Sequence, residues 1–140
     1  MKNCNCPECV SACKNDPGRL IPDDMDKISQ FLGISKKDLM NKLVKKEQSA
    51  KYGIYSLAPV KFKGKNMLVQ PGNVVPDYYA SEAGKCIFLN SQNLCEIHPV
   101  KPFECMAYMG CKNTFLGKPY KEKTVEEFFT VKWKNYVQVE

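Results

Sequence analysis

"GKCIFLNSQNLCEIHPVKPFECMAYMGC", residues 84–111, contains four of the eight cysteines in this chain of 140 residues. We call these four, Cys86, Cys95, Cys105 and Cys111, block two; eight, nine and five residues separate them. Zinc ribbons and fingers use cysteine pairs at about C-x2-C spacing, so block two matches no ribbon pattern. Its cysteines must therefore be interpreted together with the other four.

The other four cysteines lie at the start of the chain in "CNCPECVSAC", and we call them block one: Cys4, Cys6, Cys9 and Cys13. Their pattern, C-x-C-x2-C-x3-C, is one residue shorter than the ferredoxin run C-x2-C-x2-C-x3-C. A tetrahedral zinc site needs four ligands, and a [4Fe–4S] cluster needs four thiolates. Each block could therefore complete one site, or the two blocks could share sites.

The compartment decides between metal and disulfides. The longest apolar runs are far shorter than the ~20 residues that a membrane-spanning helix needs. The cysteine run begins at Cys4, where a signal peptide would need its basic and apolar regions, so we expect a cytoplasmic protein. Crowded thiols in a reducing cell are more often metal ligands than disulfides. We therefore predict that all eight cysteines bind metal.

A histidine adds a further candidate ligand. His98 is the only histidine of the chain and follows Cys95 by three residues. Imidazole is a common ligand beside cysteine, and it also commonly donates a hydrogen bond to a ligating group. The sequence leaves both roles open for His98.

The segment between the blocks begins with helical periodicity. In "PDDMDKISQFLG", apolar residues recur three and four positions apart, with Asp23 or Asp24 as the N-cap and Gly33 at the end. "SKKDLMNKLVKK" starts at Ser35 with near capping-box spacing and repeats the apolar pattern. We predict a pair of short helices over 23–46.

Short apolar runs and turn residues follow Gly53. "IYSLAPVKF", "KGKN" and "MLVQP" predict a hairpin over about 54–70, with Gly64 in the turn. "CIFL" and "LCEIH", which flank "NSQN", predict a second hairpin over about 86–98. The second hairpin would carry two cysteines of block two.

The end of the chain predicts another helix. Thr124 and Glu127 have capping-box spacing, and an apolar stripe follows, so we predict a helix over about 124–137. A chain of this length suits one core. We therefore predict the α+β class, as a single small metal-stabilised domain over 1–140 with short helices and hairpins around a cysteine cluster.

Block two resembles the core of the YkgJ-like CxxCxxCC cysteine-cluster family, whose domains are described as zinc- or iron-chelating. That family shows a cysteine, a few apolar residues, a turn, a second cysteine eight residues on, a basic-Pro pair and two further cysteines. Block two follows this order, and Lys101-Pro102 stands where Arg-Pro is usual. "FLGIS" before Lys36 echoes a phrase of the same family.

The resemblance covers most of residues 1 to about 115. The N-terminal cysteine cluster of the family corresponds to block one, although its adjacent Cys-Cys pair is absent here, because three residues separate Cys9 from Cys13. The resemblance implies metal binding, with zinc and iron both open, and some relatives are described as holding an iron–sulfur cluster. It implies no reaction.

These observations favour a metal-binding protein that holds an iron–sulfur cluster or zinc through eight thiolates, in a structural or electron-transfer role. The ferredoxin-like block one and the irregular block two favour an iron–sulfur cluster, of the [4Fe–4S] type, over Zn²⁺. An electron-transfer role would add a redox partner protein. Neither block predicts an oligomeric state.

Two other functions are open. One is a redox or group-transfer enzyme, but G-x-G-x-x-G, P-loop and nucleophile motifs are absent from the sequence, which argues against an enzyme. The other is nucleic-acid binding through the helix pair, whose lysines contribute to a net charge of +6. Arg19 is the only arginine, and arginine is the usual reader of bases and phosphates, so we favour helices that pack on the core.

Overall fold

A computed structural model of the protein describes residues 17–49, 51–76, 79, 84–92, 94–109 and 113–134, so block one and Cys111 lie outside the described residues. The helices are α1 (Pro22–Leu32), α2 (Lys36–Met40), α3 (Phe103–Ala107) and α4 (Glu122–Lys134), with a 3-10 turn at His98–Val100. The strands are β1 (Leu43–Ser49), β2 (Ile54–Pro59), β3 (Lys61–Lys63), β4 (Asn66–Met67), β5 (Lys85–Cys86), β6 (Tyr108–Met109), β7 (Thr114–Phe115) and β8 (Lys118–Pro119). This mixture of helices and small sheets confirms the α+β class.

The described strands form three small antiparallel sheets. β1 pairs with β2, β3 lies between β4 and β5, and β7 lies between β6 and β8. The turn between β3 and β4 contains Gly64 with φ of +63°, a left-handed conformation that glycine adopts without strain. Of the hairpin predicted over 54–70, the part around Gly64 forms, as the β3–β4 hairpin. The first predicted strand, β2, pairs with β1 instead.

The predicted helix pair over 23–46 is wrong in its second half. The second helix ends at Met40, and the chain then forms β1. Leu43 and Val44, which continue the helical stripe in the sequence, are fully buried in the strand and pair with β2. Tertiary pairing therefore overrides the local periodicity. Lys45 and Lys46 lie on β1, so the helix pair that was considered for nucleic-acid binding does not carry these two lysines.

The hairpin predicted over 86–98 is largely replaced by other structure. Cys86 pairs with Lys61 of β3, and among the residues that the structure describes a single bridge, between Leu89 and Cys95, joins the two predicted strands. Beyond it the chain enters the 3-10 turn, where Pro99 has no N–H to donate to a ladder.

The core is centred on α4, which buries Val125, Phe129 and Trp133 at helical spacing. The indole Nε1 of Trp133 donates to the carbonyl oxygen of Leu20 at 2.9 Å, which ties α4 to the segment before α1. The helix begins two residues before Thr124, the predicted N-cap, and residues 135–137 of the prediction lie outside the described residues.

Asp24 joins α1 to α3. Its Oδ2 accepts hydrogen bonds from the backbone N–H groups of Ile21 at 2.9 Å and Phe103 at 2.8 Å. It is the third residue of α1 and not the N-cap, since Pro22 occupies the first helical position. Burial raises the pKa of Asp24, against the opposing effect of the two N–H donors.

Two substitutions of Asp24 separate its charge from its hydrogen bonds. Asp24→Ala leaves two N–H groups without their acceptor and should lower the free energy of unfolding by about 1–3 kcal/mol. Asp24→Asn keeps an acceptor oxygen. The pKa of Asp24 is raised in the fold. This shift therefore adds to the free energy of unfolding of the wild-type protein below the ordinary pKa of the carboxyl, and the added stability is lost as pH rises. The stability of Asp24→Asn relative to wild type should therefore increase from about pH 4 to neutral pH.

Urea unfolding of wild type, Asp24→Ala and Asp24→Asn at several pH values measures both effects. A difference between Asp24→Asn and wild type that stays constant with pH would refute the raised pKa of this carboxyl.

Candidate metal centre

The three described cysteines of block two line one cavity. Cys86 is buried, Cys95 and Cys105 are partly buried, and all three contribute to the wall of a space of about 10 Å³. The rest of this wall consists of prolines, Gly18 and apolar side chains such as Phe88. Among the described residues, the three cysteines are therefore the members of this wall that could bind a metal through a side chain, and we call the space the thiol cavity.

Strand pairing positions Cys86. It pairs with Lys61 in the register of β5 against β3, and the next N–H, that of Ile87, donates to the carbonyl oxygen of Val60 at 2.9 Å. The carbonyl oxygen of Cys86 accepts from the N–H of Leu89 at 2.9 Å, which turns the chain directly after the cysteine. The backbone on both sides of the thiol is thus fixed.

A side-chain-stabilised turn positions Cys95. Asn90 Oδ1 accepts from the N–H groups of Gln92 at 2.8 Å and Leu94 at 3.0 Å, as asparagine commonly does in turns. The turn brings Cys95 opposite Leu89, and the N–H of Glu96 donates to the carbonyl oxygen of Phe88 at 2.7 Å. The Asn90 turn therefore brings Cys95 back towards Cys86.

Cys105 reaches the cavity from α3, against the segment that follows block one. Its N–H donates to the carbonyl oxygen of Pro102 at 2.9 Å. Gly18 packs directly on this cysteine: a Cβ atom at position 18 would overlap with Cys105 Sγ and lie 3.0 Å from its backbone nitrogen. The position admits only glycine without a shift of the thiol.

His98 lies near the cysteines in sequence but does not line the thiol cavity. Its Nε2 is buried and has no hydrogen-bond partner among the residues that the structure describes. Its backbone N–H donates to the carbonyl oxygen of Cys95 at 3.2 Å. An imidazole nitrogen buried in this way fits a ligand or a hydrogen-bond donor whose partner comes from elsewhere in the chain.

The donor set suits a thiophilic cation. Thiolates select zinc and iron–sulfur clusters over magnesium or calcium, which prefer oxygen. Within the described ranges, no three cysteine, histidine, aspartate or glutamate side chains are grouped closely enough to hold an ion. Of the nine predicted site residues, the structure thus brings Cys86, Cys95 and Cys105 to one cavity and places His98 outside it. The predictions for Cys4, Cys6, Cys9, Cys13 and Cys111 lie outside the described residues.

Sequence reasoning missed Gly18 and Arg19, which precede α1 and contact α3. The available signals were the Pro-Gly pair at Pro17 and the fact that Arg19 is the only arginine. Neither signal indicates a partner 85 residues away in the chain, which is the separation between Arg19 and Glu104.

A search for membrane-spanning segments found no helix of sufficient length and apolarity in the part of the chain that the structure describes.

Comparisons with known proteins agree with the cysteine pattern. The family described as "CxxCxxCC: Putative zinc- or iron-chelating domain" matches residues 5–128, which include both blocks except Cys4. No curated protein and no solved structure shows a significant match to the chain.

Proposed function

The chain belongs to the CxxCxxCC family of zinc- or iron-chelating domains, and from this premise we propose that the thiolates of Cys86, Cys95 and Cys105 hold its metal. The observation that carries the proposal is that Cys86 from β5, Cys95 from the segment after the Asn90 turn and Cys105 from α3 line one otherwise apolar cavity. A cation bound there neutralises the thiolates and links the three segments that carry these cysteines, which are short elements and turns.

We further propose that block one completes the ligand set. Gly18 packs on Cys105, so the chain that follows block one passes the thiol cavity. Cys13 precedes Gly18 by five residues, and five extended residues span at most about 18 Å. A site shared between the blocks would fix the start of the chain to α3. Cys111, six residues after Cys105, is within similar reach.

The role that these residues support is chelation for structure. Apart from the thiols, the cavity wall offers no acid or base among the described residues, which supports binding over proton transfer. Structural zinc contributes about 10–16 kcal/mol in small peptides, comparable to the stability of a domain. Metal removal should therefore unfold much of this protein.

A specific observation favours each form of the metal. The spacing of block one is close to that of a ferredoxin run and favours an iron–sulfur cluster, with electron transfer as a further role. The small volume of the thiol cavity, about 10 Å³, favours a single ion such as zinc over a four-iron cluster. A visible absorption spectrum of anaerobically purified protein separates the two, because zinc thiolates are colourless and iron–sulfur clusters are brown.

Serine substitutions test the ligands. Cys86→Ser, Cys95→Ser and Cys105→Ser should each lose most of the metal per chain after anaerobic purification, as measured by elemental analysis. Ala107→Ser is a matched control, since it places a hydroxyl at a buried position of the same helix as Cys105 and removes no thiol. Three serine variants that retain the wild-type metal content would contradict the proposal.

A further inference from the structure

Arg19 is a buried cation with an almost complete set of acceptors. Its side chain is 6% exposed, and its guanidinium binds Glu104 through two parallel bonds, Nε to Oε1 at 2.9 Å and Nη2 to Oε2 at 2.6 Å. Its Nη1 donates to Gln48 at 3.0 Å and also to Glu126, and the ring of Phe129 lies 4.2 Å from the guanidinium carbon. Such an arrangement requires the planar fork of arginine.

The same two residues also bind each other through the backbone. The N–H of Arg19 donates to Glu104 Oε1 at 2.7 Å, and the N–H of Glu104 donates to the carbonyl oxygen of Arg19 at 3.1 Å. Two side-chain and two backbone-involving bonds thus join residue 19 to residue 104. We call these four bonds the Arg19–Glu104 clamp.

Both segments that the clamp joins also contribute a residue to the wall of the thiol cavity. Glu104 precedes Cys105, and Arg19 follows Gly18, the residue that packs on Cys105 Sγ. Glu104 itself is 17% exposed, whereas Glu126, on the far side of the guanidinium, is 41% exposed. Arg19 and Glu104 are thus the chain neighbours of the two residues that form the contact between Gly18 and the thiol.

We propose that the Arg19–Glu104 clamp is a positioning device for the metal site, which fixes the Cys105 thiolate relative to the chain that leaves block one. The inference rests on the proposed function. Arg19 and Glu104 act through the backbone of their neighbours and are positioning residues, not ligands. Substitutions of residues that orient ligands typically cost 10–100-fold in metal affinity. The clamp accounts for the burial of the only arginine in a chain whose other cations are lysines.

The test compares three single variants. Arg19→Lys keeps the charge and loses the fork, and Glu104→Gln weakens the clamp from the other side. Glu126→Gln is the matched control, because it removes a carboxylate that contacts the same guanidinium but belongs to α4 and not to the clamp. The readouts are the rate of metal release to excess chelator and the absorption spectrum of the Co²⁺-loaded protein, both at a temperature where circular dichroism shows each variant folded.

Arg19→Lys and Glu104→Gln should release metal about 10–100-fold faster than wild type and shift the thiolate-to-cobalt bands. Glu126→Gln should stay close to wild type in both. Folded Arg19→Lys and Glu104→Gln proteins with the wild-type release rate and spectrum would overturn the inference, as would an equal effect of Glu126→Gln.

A double variant keeps the test decisive where the single variants fail to fold. Buried ion pairs can often be replaced by apolar residues of similar volume without loss of stability. Arg19→Met with Glu104→Leu therefore removes both charges and the three bonds of the clamp that use the Glu104 carboxylate, and leaves only the backbone bond from Glu104 to Arg19. We expect this variant to release metal faster at equal helicity; a wild-type release rate would overturn the inference.

The outcome also separates this inference from the proposed function. If Cys105→Ser loses metal while the clamp variants hold it as wild type does, only the positioning role fails. If Cys86→Ser, Cys95→Ser and Cys105→Ser all retain the wild-type metal content, the proposed function fails whatever the clamp variants do.

Discussion

Phe129→Ala is expected to lower the free energy of unfolding by about 3–5 kcal/mol, the range for deletion of a buried aromatic side chain. Phe129 is fully buried at the centre of the core and contacts the rings of Phe115 and Phe128, whose centroids lie 6.2 and 5.4 Å from its own. The guanidinium of Arg19 also lies over the face of the Phe129 ring. Chemical unfolding followed by circular dichroism measures the change.

Val131→Ala is the matched control for this prediction. Val131 lies on the same helix but is 67% exposed, and exposed substitutions usually change stability by less than about 0.5 kcal/mol. A loss of unfolding free energy at Phe129 no larger than that at Val131 would mean that α4 does not pack in the core through Phe129.

Gly18→Ala is expected to lower both stability and metal retention. A methyl group at position 18 overlaps with Cys105 Sγ, and overpacking of this kind typically costs about 1–3 kcal/mol. The thiol or the segment must move, so we expect metal to be released more than tenfold faster, within the range for displaced ligand geometry. Metal release to a chelator and urea unfolding measure the two effects separately.

Gly33→Ala supplies the comparison. Gly33 has φ of +69° at the end of α1, and a Cβ there meets no atom within 4 Å. The variant should lose about 1–2 kcal/mol through left-handed backbone strain alone and release metal at the wild-type rate. If Gly18→Ala and Gly33→Ala release metal equally slowly, Gly18 has no special relation to the thiol.

Local sequence signals predicted those parts of the fold that depend on local structure. The stripe of Val125 and Phe129 indicated a C-terminal helix, and Gly64 indicated a turn, because both features arise from residues close together in the chain. β1 escaped prediction because Leu43 and Val44 fit a helix and a buried strand equally well. Only their pairing with β2 decides, and that pairing depends on tertiary contacts.

The sequence indicated candidate ligands for the site but not how they are arranged in space. Cysteine order alone indicated Cys86, Cys95 and Cys105. Their convergence depends on the pairing of β5 with β3, on the Asn90 turn and on α3, and no spacing rule encodes these three features together. The contact of Arg19 with Glu104 was not predictable either, because a single arginine does not indicate which distant carboxylate it binds.

X-ray absorption at the edge of the bound metal tests the central claim most directly, because it identifies the atoms around the metal in the intact protein. We expect a first shell dominated by sulfur, at about 2.3 Å for zinc. Cys105→Ser protein that retains metal should show fewer sulfur neighbours. A first shell of nitrogen and oxygen alone in the wild-type protein would contradict the assignment of the thiol cavity as the metal centre.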